Sequence, residues 1–323
     1  MNILLLGASG FIGTNLAKAL RGHSILLVDR KMEFFDHIKK MKLPNVSYIL
    51  SDLAEPLATR LEPSCSSYID KLLKGQDVVY HLVSTTVPTT SNQHIVEELK
   101  ANILFSANLF EACVRQKVKK VIFISSGGTV YGKESSNCPL NEDTPTNPIT
   151  SYGVQKLTIE KLLYLYHHMY GLDYRIIRLS NPYGPYQRPN GILGAVTTFT
   201  YKALMNEEIN VYGDGSIIRD FIYIDDAIKG ILNIVQDGSN YRIYNLGSGY
   251  GTSIKKVIET IEKVLNLKLK VQYTEARAVD VPINFLNIER YEREYGKLNP
   301  ISLAEGIKRT ANFMREFYDI RRE

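Results

Sequence analysis

Ile3-Leu4-Leu5-Leu6-Gly7-Ala8-Ser9-Gly10-Phe11-Ile12-Gly13 stands near the start of the chain, and an apolar-periodic segment continues from it to Leu20. The run reads as strand, glycine turn and helix. A tight turn uses backbone angles that a side chain forbids, and a pyrophosphate reaches the first amides of a helix only where no Cβ intervenes. The helix N-terminus adds a positive dipole end and free N–H groups. Gly7, Gly10 and Gly13 lie three apart, whereas the commonest dinucleotide fingerprint separates its first two glycines by one residue. On the trio alone, a glycine-rich turn of another α/β protein is the lesser alternative reading.

Working outward, Ser24-Ile25-Leu26-Leu27-Val28 forms a second apolar run that ends in Asp29, about twenty residues after the first glycine. A carboxylate there accepts from both hydroxyls of an adenosine ribose. Its charge repels a 2′-phosphate, which favours NAD over NADP, while Arg30 and Lys31 soften the preference. The alternative is an ordinary polar strand end. A third run, Val46 to Leu50, closes with Ser51-Asp52-Leu53, where a carboxylate can meet an adenine amino group.

The 323 residues can bury a large core, and two lobes of uneven size are expected. With 44% apolar and 23% charged residues the chain reads as a soluble enzyme or binding protein. Its net charge of +5 is dispersed, so no nucleic acid partner is expected. Cys65, Cys113 and Cys138 are too scattered for a disulfide framework, and His167-His168 lacks companions for a metal. No apolar run is long enough for membrane insertion. The expected location is cytoplasmic.

Strand and helix alternate onward. Ser64 to Leu73 reads as a helix, Asp77 to Leu82 as the fourth strand, about Gln93 to Lys117 as one long buried helix with Asn102 on its flank, and Val121 to Ile124 as the fifth strand. Such units make a doubly wound parallel sheet with its ligand crevice at the strands' carboxyl ends. Polar residues gather there: Ser84, Thr85 and Thr86 after the fourth strand, Ser125, Ser126 and Thr129 after the fifth. A loop leads to a helix from near Ile149 that carries Tyr152 and Lys156, four apart and so on one face. A nearby ammonium favours the phenolate of a tyrosine that otherwise ionises near pH 10. Taken alone, such a pair among 21 tyrosines is a chance event; after the glycine turn it is a candidate acid–base pair.

Tyr174 to Arg178 is the expected sixth strand, after which the alternation lapses. The expected organisation is a Rossmann-type dinucleotide domain over residues 1–181, to which about 220–247 return, and a smaller α/β substrate lobe from 182–219 and 248–323. The run Arg219 to Asp226 suits a strand whose carboxylate caps the next helix.

These residues together resemble the extended short-chain dehydrogenase/reductases, and within them the UDP-hexose 4-epimerases. The resemblance runs through Gly-Ala-Ser-Gly-Phe-Ile-Gly at 7–13, Asp29, Asp52-Leu53, His81, Ser-Ser-Gly-Gly-Thr-Val-Tyr-Gly at 125–132 and Tyr152 with Lys156. It continues through Asn-Pro-Tyr-Gly-Pro at 181–185, Gly-Asp-Gly at 213–215, Arg219 to Tyr223, and Arg277 with Asp280-Val281-Pro282. It implies NAD held by Gly7, Gly10, Phe11, Ile12, Gly13, Asp29, Asp52, Leu53 and Asn102, with Tyr152 as general base and Lys156 on the nicotinamide ribose. It further implies a nucleotide-sugar substrate held by Thr86, Asn181, Arg219, Arg277 and Asp280, with Asn284 gating the sugar pocket and its size admitting an N-acetylhexosamine. A homodimer through the helices near 93–117 and 149–170 is also implied. One position departs: Gly127 stands where the family has a Ser or Thr hydroxyl, and Thr129, then Ser126, are the candidate replacements. The expected activity is NAD-dependent 4-epimerisation. The alternatives are a 4,6-dehydratase, decarboxylase or reductase of the same family, and a non-catalytic NAD-binding regulator.

Overall fold

The computed structural model describes residues 1–30, 35–52, 63–86, 91–133, 139–189, 194–236, 238–277 and 280–320. Its centre is a seven-stranded parallel sheet. The strands are β1 (Asn2–Leu6), β2 (Ser24–Asp29), β3 (Val46–Leu50), β4 (Val78–His81), β5 (Lys120–Ser126) and β6 (Asp173–Leu179), joined by Ile243–Leu246. Their order across the sheet is β3-β2-β1-β4-β5-β6 and then Ile243–Leu246, all neighbours parallel. The chain reverses direction across the sheet between β1 and β4, and at such a switch point two strand ends splay apart and leave a crevice.

The unbroken apolar runs reflect burial on both faces. Ile3 and Leu5 of β1 pack into one layer with the helices Phe11–Ala19 and Ile224–Val235, while Leu4 and Leu6 pack into the other with Phe105–Arg115 and Ser151–Tyr170. Each such side chain contributes about 1.5–3 kcal/mol on burial. The doubly wound fold expected from the sequence is the fold observed.

Beyond β6 the strands shorten. Asn181–Tyr183 pairs with Phe221–Tyr223, Thr252–Ser253 and Ile283–Asn284 flank Ile218–Arg219, and Ile209–Tyr212 pairs with Val271–Thr274. The helices Ala195–Leu204, Ile254–Leu265 and Leu303–Phe317 cover this part.

Two local expectations need correction. The helix expected from Gln93 to Lys117 is three pieces, Ile95–Leu99, a π-helical turn at Lys100–Leu104, and Phe105–Arg115. The wider turn accompanies Asn102, whose amide bonds the Glu98 carbonyl at 2.9 Å and Thr85 Oγ1 at 2.7 Å. The helix Ile224–Val235 is capped by Tyr223 without a side-chain bond, and Asp225 and Asp226 lie inside its first turn, where they still favour the dipole. Asp226 instead accepts the Ile301 amide at 3.0 Å.

Candidate active site

At the carboxyl ends of β1, β4, β5 and β6 a cavity of about 580 Å³ reaches from the glycine turn to the short strands Ile209–Tyr212 and Ile218–Arg219. The turn is built by exclusion of side chains. Gly7 has φ +77°, and a Cβ on it would lie 3.0 Å from the Leu82 carbonyl carbon; a Cβ on Gly13 would lie 2.6 Å from the carbonyl oxygens of Gly7 and Ala8. Gly10 differs, with φ −70° and only Gly7 O near the position of a Cβ, at 3.4 Å. Its lack of a side chain leaves the first helical amides open to a ligand. Phe11 and Ile12 line the cavity beside them. Asp29 closes β2 next to this turn and accepts the Ser9 amide at 2.9 Å and the Arg30 amide at 2.7 Å. A pyrophosphate against the open amides and a ribose at Asp29 therefore fit the groups present. Asp52 follows β3, outside the cavity lining, and Leu53 lies outside the described residues. Asn102 also lies behind the wall; its groups hold Thr85, accepting its amide at 2.9 Å, and so shape the loop after β4.

Tyr152 and Lys156 face the cavity from the helix Ser151–Tyr170. The Thr150 hydroxyl caps this helix by accepting the Gly153 amide at 3.1 Å. Gly153 permits close approach to the loop after β5, since a Cβ there would sit 3.0 Å from Thr129 O. Lys156 is 5% exposed, donates to Ile124 O at 2.8 Å and lies 5.5 Å from the Tyr152 ring centroid. Burial pushes the Tyr152 phenol up to about 12, with the Ser126 hydroxyl bond acting the other way. Burial pulls the Lys156 ammonium down to about 8, opposed by the Glu160 carboxylate. His81, at the end of β4, is pushed down to about 3 by burial and then by the Lys156 charge; its Nε2 pairs with Ser106 Oγ at 2.8 Å. It is a neutral wall residue at physiological pH.

Gly127 sits in tight surroundings. A Cβ there would lie 2.6 Å from Leu286 Cδ1 and 3.0 Å from Arg178 O, so a larger residue at this strand end would require the Leu286 side chain to move. Of the two candidate replacements, Ser126 lines the cavity beside Tyr152, and its hydroxyl favours the phenolate. Thr129 does not line it, and its Oγ1 is buried without a partner. Asn284, expected at the gate, is 2% exposed, donates to Gly127 O at 3.2 Å and is likewise absent from the lining.

Arg219 and Arg277 enter from the other side. Arg277 grips Asp280 through two bonds, Nε to Oδ2 at 2.9 Å and Nη2 to Oδ1 at 3.0 Å, and stacks 4.3 Å over the Tyr212 ring. Arg219 donates to Val281 O at 2.6 Å and Ile218 O at 2.8 Å, with Nη2 4.0 Å from the same Asp280. Burial lowers its pKa, and Asp280 opposes that shift. Asn181 and Thr86 also line the cavity, the Asn181 amide donating to Asp220 O at 2.9 Å. Buried Asp220 anchors this region by accepting from the Ser248 amide and hydroxyl, both at 2.7 Å, and from the Leu286 amide at 3.2 Å.

Sequence reasoning missed Ser180, Gln187, Thr198, Phe199 and Asn210 in the lining; they sit where no periodicity flags them. Tyr212 had a usable signal, because it immediately precedes the Gly213-Asp214-Gly215 turn. Among the described residues no His, Cys and carboxylate group could hold a metal, and no helix is long and apolar enough to cross a membrane. A larger surface cleft, of about 1060 Å³ between Tyr201 and Ile320, contains none of the residues singled out by the sequence.

A glycine-turn helix, a strand-end carboxylate and a Tyr–Lys pair around one crevice define a dinucleotide-dependent α/β enzyme. The chain belongs to the NAD dependent epimerase/dehydratase family, whose profile matches residues 3–247, and its cofactor is NAD. It is 28% identical over 324 residues to the UDP-glucose 4-epimerase of Mycolicibacterium smegmatis, covering 98% of this chain and 99% of that one. Among solved structures, it superposes with a TM-score of 0.88 on the UDP-glucose 4-epimerase of Thermotoga maritima with UDP-glucose, at 29% identity over 98% of this chain and 100% of that one. The UDP-glucuronic acid 4-epimerase of Bacillus cereus, in complex with UDP-glucuronic acid and NAD, matches with a TM-score of 0.86 at 27% identity over 98% and 100% of the two chains.

Proposed function

We propose that the protein is an NAD-dependent 4-epimerase of a UDP-hexose. The observation that carries this reading is the continuity of one cavity from the glycine turn, past Tyr152 and Lys156, to Arg219 and Arg277. A dinucleotide, a sugar and a diphosphate have places in it in that order. NAD, when bound, would supply the reversible hydride acceptor for the sugar C4. Tyr152 takes the proton of the C4 hydroxyl and gives it back to the 4-keto sugar after that sugar has turned, and Lys156 supplies the nearby charge that makes the phenolate accessible. Ser126, beside Tyr152, holds the reacting oxygen. Arg219 and Arg277 take the diphosphate, their planar forks matching phosphate oxygens.

Epimerisation is favoured over 4,6-elimination by the carboxylates. Among the described lining residues only Asp280 carries one, and it is clamped by Arg277 at the end away from Tyr152. An elimination needs a further acid–base group beside the sugar, and the strand end offers Gly128 and Thr129 there. Relatives that act on UDP-glucose and on UDP-glucuronic acid support the nucleotide sugar class. Exposed Val154, Tyr164, Leu165 and Met169 on the helix Ser151–Tyr170 support pairing of two copies.

The test is incubation with a panel of UDP-sugars without added cofactor, with C4 configuration read by NMR. Interconversion of a C4 pair is expected. Loss of water or carbon dioxide without inversion would overturn the reading.

A further inference from the structure

The helix that carries Tyr152 and Lys156 places Glu160 one turn further along the same face. Glu160 is buried and paired with buried Arg178 of β6, Nη2 to Oε2 at 2.7 Å and Nε to Oε1 at 3.2 Å. Glu160 Oε1 also accepts the Ser125 hydroxyl at 2.5 Å, and Ser125 lines the cavity next to Ser126. Arg178 continues the network, donating from Nη1 to Tyr131 Oη at 3.1 Å, which in turn donates to Asn245 Oδ1 at 2.6 Å. A buried ion pair is weak evidence for stability, because desolvation of both charges offsets their attraction. Its position needs another explanation, and it joins the three elements that carry the reacting groups: the Tyr152 helix, the end of β5 and the end of β6.

We infer that Glu160 and Arg178 are positioning residues for the Tyr152–Lys156 pair: Glu160 sets its carboxylate one turn from Lys156 on the same helix face and fixes Ser125, while Arg178 fixes Glu160. The catalytic part of this inference rests on the reading of Tyr152 as the base. Among the groups around Lys156, Glu160 is the carboxylate one turn away on the same helix face. On its own helix these are Tyr152 and Glu160. From β4 comes neutral His81, from β5 the Ile124 carbonyl and the Phe123 ring 4.8 Å away, from β6 Arg178 behind Glu160, and from the helix Ile95–Leu99 Glu98, which is engaged by the Ser151 hydroxyl. Burial has already brought Lys156 down to about 8, so the loss of one facing negative charge moves its titration into the neutral range.

A lysine is charged below its pKa, so a lowered pKa removes the ammonium, and with it turnover, from a lower pH upward. Glu160→Gln is expected to lower the Lys156 midpoint by about 1 pH unit or more. The midpoint is read by NMR of the lysine side-chain carbons, assigned by loss of the signal in Lys156→Met. The alkaline fall of turnover should move with it. Glu160→Asp, which keeps the charge, should restore most of the shift. Since Glu160→Gln strands a buried guanidinium, Glu160→Gln/Arg178→Met serves if the single variant does not fold, and its midpoint should still lie below that of the parent. A folded variant with reduced turnover at every pH and an unmoved Lys156 midpoint would make the pair a purely structural feature and overturn the inference. The NMR readout needs no substrate. A protein that epimerises no nucleotide sugar yet shows the shift would refute the proposed function while leaving the Glu160–Lys156 coupling in place.

Discussion

Lys156 and Arg277 line the same cavity, yet their charges are handled in opposite ways. Lys156 is buried, and its ammonium donates to a neutral carbonyl, Ile124 O at 2.8 Å. The Arg277 side chain is 39% exposed and is matched by Asp280 through a two-bond fork, with Arg219 close to the same carboxylate. At the first end charge is held at a cost, so small changes in the surroundings alter ionisation. At the second end charge is already neutralised by a partner that a diphosphate can replace without stranding either arginine. The first arrangement suits proton transfer, the second suits binding, and each can be broken separately.

The largest effect is expected at the sealed end. Tyr152→Phe removes the one hydroxyl on the pair while keeping the ring over Lys156, and should lower turnover by about 10²–10⁴. NAD and nucleotide-sugar binding, measured by calorimetry, should persist. Near-parental turnover would take Tyr152 out of the chemistry and leave the cavity a binding site only.

At the other end the effect should fall on KM. Arg219→Ala is expected to raise KM about 10- to 100-fold with little change in kcat, the range of a lost charged hydrogen bond. Arg277→Ala should raise it by about tenfold or less, because the Arg277 side chain is 39% exposed against 19% for Arg219. If Arg277→Ala is the costlier change, or if either acts through kcat, the division of labour between the two ends fails.

The two ends also differ in how far the sequence foretold them. The sheet was legible because most strands of the first part contain a dense apolar run, and Gly13 and the Tyr152–Lys156 spacing are set by local geometry that one dimension records. The π-helical turn at Lys100–Leu104 was not legible, since it accompanies bonds from Asn102 to Thr85, a residue seventeen positions earlier. Nor was the packing behind Gly127, where the obstructing atoms belong to Leu286 and Arg178. The surroundings of Asn284 were hidden for the same reason: the chain gives its count from Asp280, and the fold turns its amide onto Gly127 O. Long-range contacts decided each of these points.

A smaller effect is expected at the adenosine side. Asp29→Ala should narrow the preference for NAD over NADP, because the carboxylate facing a 2′-phosphate is gone. It should also weaken NAD about tenfold, since the Ser9 amide of the glycine turn loses its acceptor. Cofactor titrations by fluorescence check both, and a parent protein purified with NADP would contradict the assignment.

The smallest effect separates the two hydroxyls near Tyr152. Thr129 Oγ1 is buried with no hydrogen-bond partner, whereas Ser126 faces the cavity and its hydroxyl favours the phenolate of Tyr152. Thr129→Val keeps the side-chain shape and replaces an unsatisfied polar atom with a methyl group, a change that is neutral or stabilising by about 1 kcal/mol. Turnover should stay within about twofold of the parent and the melting temperature should hold or rise slightly, since no bond of Thr129 is lost. Ser126→Ala removes a hydroxyl that touches the base and should lower kcat about tenfold without altering the fold. Paired kinetics and thermal melts decide between them. If Thr129→Val proves the more damaging substitution, its hydroxyl turns into the cavity when substrate binds, and the sealed end is more mobile than its packing indicates.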